Sequence, residues 1–127
     1  MDIENKLTAL TTGLYFMSES DYPFKVLDWG IKNKDEIKNN VSTLHNDITP
    51  VTLIPASVFF EKIISNLEIN DDEMSKSFSK KYRDLYNFIL ENNFDCYVLK
   101  CGKIEVGVYV IIETETVFVL NTTSIET

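Results

Sequence analysis

The run Ile104-Glu105-Val106-Gly107-Val108-Tyr109-Val110-Ile111-Ile112 carries the clearest periodicity in the chain. Val or Ile recurs at every even position, a period of two that only an extended strand presents on one face. Working outward, Cys96-Tyr97-Val98-Leu99-Lys100 precedes it across a turn supplied by Gly102. Glu113-Thr114-Glu115 follows it and turns the chain into Thr116-Val117-Phe118-Val119-Leu120. Three strands so closely spaced can only pair with reversed direction, so residues 96–120 form an antiparallel meander.

Upstream the period changes to that of a helix. Met74, Phe78, Tyr82, Leu85 and Ile89 are spaced 4, 4, 3 and 4, with Asp71 or Asp72 as the N-cap. Pro55 suits the first turn of a helix through Phe59, Phe60, Ile63 and Ile64, and Val51–Ile54 before it reads as a short strand. The polar segment 32–47 holds at most a short helix over 35–41. Phe24–Trp29 reads as a strand after Pro23. Ile3, Leu7, Leu10 and Leu14 make the stripe of an N-terminal helix capped by Asp2. Helices early and strands late define an α+β chain: an antiparallel sheet with helices on its faces, in one domain spanning 1–127.

The chain has 127 residues, no apolar run long enough to span a membrane, and an acidic start, Met1-Asp2-Ile3-Glu4, unlike a signal peptide. A cytoplasmic protein is expected. Net charge is −8, with Arg83 the one arginine. A surface that must neutralise phosphates cannot be built this way, so direct nucleic-acid binding is not expected, and a basic protein partner is. The same acidity is also compatible with nothing more than solubility. The charge is uneven: residues 64–77 carry net −3 and 104–127 net −4, against +2 over 78–103.

Catalytic chemistry finds little support. His45 is the only histidine and reads as a loop residue; the four glycines form no phosphate loop. Asp71-Asp72-Glu73 lacks the ligand alternation of a calcium loop. Cys96 and Cys101, five apart on one strand, face opposite sides, and with one histidine they cannot complete a zinc site. No enzyme, metal or cofactor is expected. Two segments stand out. Met17-Ser18-Glu19-Ser20-Asp21-Tyr22-Pro23-Phe24 sets acids and hydroxyls on a loop braced by proline, either a plain helix-ending loop or an acid offered to a partner's arginine. Glu126 and Thr127 end the chain shortly after an apolar strand, either as a frayed end or as a compact set of oxygen ligands.

The stretch Leu14-Tyr15-Phe16-Met17-Ser18-Glu19-Ser20-Asp21-Tyr22-Pro23-Phe24-Lys25-Val26, with Trp29 after it, resembles the signature segment of the nuclease A inhibitor family. Gly102–Thr114, the pair Phe59-Phe60 and the closing Ile125-Glu126-Thr127 have counterparts in the same order. The resemblance implies an α/β/α sandwich and a small intracellular inhibitor of a sugar-non-specific, magnesium-dependent endonuclease. It implies that Glu19, flanked by Ser20, Asp21 and Tyr22, engages an active-site arginine of the nuclease. Thr127 would be a ligand to the nuclease's magnesium in the complex only, with Glu126 at the rim. Ile69, beside Asp71, stands roughly where the family carries a contacting tryptophan. A monomer when free is expected. The other reading is an acidic interaction module of the same fold that binds a different protein.

Overall fold

The computed structural model describes residues 2–45 and 50–126. Thr127, and the end of the polar segment at Asn46 and Asp47, lie outside the described residues. The elements in order are α1 (Ile3–Thr11), β1 (Tyr15–Met17), β2 (Asp21–Pro23), β3 (Lys25–Gly30), α2 (Lys34–Leu44), β4 (Val51–Pro55), α3 (Ala56–Ile69), α4 (Glu73–Glu91), β5 (Asp95–Cys101), β6 (Glu105–Glu113) and β7 (Val117–Ile125).

Five strands form one sheet in the order β3-β7-β6-β5-β4, every neighbouring pair antiparallel. The meander β5-β6-β7 is its centre. Both faces of β6 are buried: Val108, Val110 and Ile112 join the core under α1, α3 and α4, while Tyr109 and Ile111 join the core under α2. The result is an α/β/α sandwich with three helices on one face and one on the other. Cys96 packs toward the first core and Cys101 lies in the second, on opposite faces as their spacing requires.

Local chemistry sets the helix ends. Asp2 accepts from the Asn5 N–H at 3.1 Å, and Asp72, not Asp71, accepts from the Ser75 N–H at 2.7 Å. Asn33 and Glu36 form a reciprocal capping box, which starts α2 one residue before the stretch read from sequence and carries it on to Leu44. Helix α1 stops at Thr11, short of the expected end, because Gly13 turns the chain at φ 73; Leu14 is then fully buried outside the helix. Pro55 is the N-cap of α3 and the last residue of β4 rather than the first helical residue. A proline is tolerated there because β4 is an edge strand.

His45 caps the C-terminal end of α2 and lies over the sheet, its Nε2 2.9 Å from the Tyr109 hydroxyl. Gly107 makes the room: a Cβ there would stand 2.6 Å from His45 Nε2. The histidine is therefore a packing residue of the α2 layer.

Candidate partner-binding site

The segment Met17–Phe24, which reads as a loop in the sequence, belongs mostly to a regular element that begins at Tyr15. It is a second small sheet, a hairpin pairing Tyr15 with Pro23, Phe16 with Tyr22 and Met17 with Asp21, with Ser18-Glu19-Ser20 at its tip. Its inner residue Phe16 stacks on Phe59 at 5.8 Å between ring centres and meets Phe24 edge-on at 6.4 Å. The Tyr82 hydroxyl donates to the Tyr15 carbonyl at 2.7 Å, tying the hairpin to α4. Burial pushes that phenol's pKa well up, so it stays a donor. An apolar underside and one buried hydroxyl thus hold the hairpin down while its tip stays exposed.

The hairpin lies along the last strand. The Thr122 hydroxyl donates to the Tyr22 carbonyl at 3.3 Å, and the Ile125 N–H donates to Ser18 Oγ at 2.9 Å. Ser18 in turn donates to the Ser20 carbonyl at 2.9 Å, which closes the tip on itself. One hydroxyl therefore joins the turn that presents Glu19 to strand β7. Strand β7 runs to Ile125, five residues beyond the end read from sequence. The Glu126 N–H then donates to the Ile104 carbonyl at 2.8 Å, so the backbone is fixed up to the residue before Thr127.

Glu126 is also held by its side chain, which accepts from Lys100 Nζ at 2.8 Å. That hydrogen bond, aided by Ser124, keeps its carboxyl below the usual range, so Glu126 is charged at any physiological pH. Ser18, Ser124, Lys100 and Glu126 line a groove of about 570 Å³ that runs between β1, the end of the sheet and α3, reaching Asn66 and Asn70. A shallower hollow continues past Leu67 and Asn70 to Glu68, Asp71, Lys76 and Arg83. There Glu68 pairs with Arg83 and Asp71 with Lys76, the latter at 3.1 Å, both as exposed surface pairs across the connection between α3 and α4.

The expected site residues thus fall into three segments around one groove. Glu19, Ser20 and Asp21 are exposed on the hairpin; Glu126 is at the groove itself; Ile69, 80% exposed, and Asp71 flank Asn70 at its far end. Tyr22 is the outlier. It is half-buried in β2, with its carbonyl turned to Thr122. Two features had no signal in the sequence: the pairing of Ser18 with Ile125, 107 positions away, and Lys100, which bonds the Glu126 carboxylate and lowers its pKa.

Among the described residues no group of three or more His, Cys, Asp or Glu side chains is arranged to hold a metal ion, and no helix is long and apolar enough to cross a membrane. Burial pushes the Cys96 thiol up to about 12, too high for a nucleophile at neutral pH. Fold and groove together define a small acidic sandwich with an exposed hairpin beside its final strand. The family described as nuclease A inhibitor-like protein matches residues 1–127, and the chain belongs to that family. None of the curated proteins matches it.

Proposed function

We propose that the protein inhibits a sugar-non-specific, metal-dependent nuclease by filling its active site from two sides. Glu19 meets an active-site arginine, and the chain end, through Thr127, reaches the nuclease's magnesium. The supporting observation is the Ser18 bond to Ile125, which holds the two contributing segments together before any partner arrives. Preorganisation matters because binding otherwise has to order the tip and the terminus at the moment of contact. A carboxylate facing a desolvated guanidinium forms short, charge-assisted bonds, and magnesium accepts oxygen ligands in place of its waters. Glu126, already ionised and pinned by Lys100, stands beside the terminus and adds to the field that attracts a basic surface.

The test is a nuclease assay. A purified sugar-non-specific, magnesium-dependent nuclease is titrated with the protein, using DNA and RNA substrates. Loss of both activities near one equivalent is expected. Full activity at saturating protein, across representative nucleases of this class, overturns the proposal and leaves the interaction module with a different partner.

A further inference from the structure

Helix α3 gives one face to the groove. Val58, Lys62, Asn66 and Asn70 recur every four residues along that wall, with Ile63 and Leu67 beside them. At the helical rise, Val58 to Asn70 spans about 18 Å, so the groove is long. Its lining is preformed: Phe16 lies flat on Phe59 at an interplanar angle of 4°, and Phe59 meets Phe60 edge-on at 5.4 Å. The charged groups are few and close together. Lys100 donates to Glu126 at 2.8 Å, and the charge of Lys62 adds to that bond in holding the Glu126 pKa down. Among the described residues Lys62 makes no ion pair of its own. Two lysines against one glutamate leave the lining with positive charge in excess, on a chain whose net charge is −8.

We infer that this groove binds a long-chain carboxylate, its head at Lys62 and Lys100 and its alkyl chain along α3 against Ile54, Ile63 and Leu67. The inference stands apart from the inhibitor reading and uses none of its contacts. Three features select this ligand class. A concave, mostly apolar site with a small polar cluster is the form that small-molecule sites take, and about 570 Å³ is within their ordinary range. The excess charge favours an anion. A second carboxylate beside Lys62 forms a charge-assisted hydrogen bond and leaves the lining neutral, whereas a cation there would meet two lysines and an acid already bonded to Lys100. The shape favours a chain. Beyond Lys62 the α3 wall continues through Ile63 and Leu67 to Asn70 for about 12 Å, room for an extended tail rather than a compact ring.

Calorimetric titration of the whole chain tests it, with dodecanoate below its micelle concentration as the probe. Dodecyltrimethylammonium, of equal chain and opposite charge, is the comparison. One equivalent of dodecanoate should bind, roughly tenfold or more tighter than the ammonium and than octanoate, whose shorter chain buries fewer methylenes. A surface of net charge −8 acting without a site would prefer the ammonium, so the order of the two reads the groove and not the surface. Lys62→Ala, at an exposed helical position, should weaken dodecanoate binding roughly fivefold or more and spare the ammonium. Asn66→Trp, also exposed on α3, fills the groove and should block binding. Lys103→Ala, at an exposed lysine outside the groove, should bind as the parent does, and thermal midpoints of the ligand-free variants should stay close to the parent's. Absence of saturable dodecanoate binding, an ammonium bound as tightly, or parent affinity in either Lys62→Ala or Asn66→Trp overturns the assignment. No nuclease enters these measurements, so their failure leaves the inhibitor reading standing, and the failure of that reading leaves them untouched.

Discussion

Replacing Ser18 by alanine removes one oxygen and two hydrogen bonds, to the Ile125 N–H and the Ser20 carbonyl, both at 2.9 Å. The Ser20 bond is exposed, and water replaces it at little cost. The Ile125 N–H is partly buried, so its loss should cost about 1 kcal/mol of stability. For a chain of this size that lowers the thermal midpoint by roughly 3–6 °C. Inhibition should suffer more. Once unpinned, the tip has to be ordered by the partner, and fixing two residues of backbone costs about 2 kcal/mol or more, a loss of roughly 30-fold in affinity. Hydrogen exchange at Ile125, thermal denaturation and titration against the nuclease read these separately. Ser18→Thr keeps the hydroxyl and should restore all three. An Ile125 amide as protected in Ser18→Ala as in the parent, or an affinity loss no larger than the stability loss, would refute the coupling of hairpin and terminus.

Four further outcomes are expected. Glu19→Ala should leave the thermal midpoint unchanged but weaken inhibition by about 2–5 kcal/mol, as for one partner lost from a desolvated ion pair; equal losses of stability and affinity would make Glu19 structural. Deleting Thr127, or adding one residue after it, should leave the fold intact, reduce inhibition, and weaken binding to the nuclease more in magnesium than in chelator; undiminished inhibition by the truncated chain would exclude a metal contact. Raising ionic strength should slow association more than it changes dissociation, because the charge of −8 acts at a distance, and a salt-independent on-rate in stopped-flow would remove steering. The Asp72 carboxyl sits below its usual pKa, first through the Ser75 N–H and then through the Ser75 hydroxyl. Its contribution is therefore present above the ordinary carboxylate range and lost as pH falls through the lowered folded value. Asp72→Ala should flatten the acid limb of a stability–pH profile, whereas an unchanged limb would remove this cap from the acid response.

Periodicity revealed what burial on one face imposes and missed what depends on a distant neighbour. Val108, Val110 and Ile112 alternate openly, so β6 was legible. The end of β7 was not: Asn121-Thr122-Thr123-Ser124 has the composition of a loop. Thr122 and Ser124 are nevertheless almost fully buried, because β1 and β2 pack beside them and give Thr122 a carbonyl to bond. The same contact makes a hairpin of residues 15–23, whose serines and acids in isolation predict a turn. Glu19, Glu126 and Ile69 could be pointed to through a family likeness, but not their common groove. That depends on Ser18 meeting Ile125 and on α3 and the end of β7 lining one cavity through Asn70 and Ser124, which no local pattern encodes.

Sheet order also governs how the molecule comes into being. Among the described residues strand β3 has one neighbour in the sheet, β7, some ninety positions later in the sequence, with Lys25 opposite Asn121 and Val26 opposite Leu120. During synthesis β3 and the hairpin before it therefore wait without their template until β7 has left the ribosome. Closing so large a loop is entropically costly and slows the final step of folding. Glu19 acquires its fixed position in that same step, so a chain truncated anywhere within β7 should lose the sheet edge and the organised tip together.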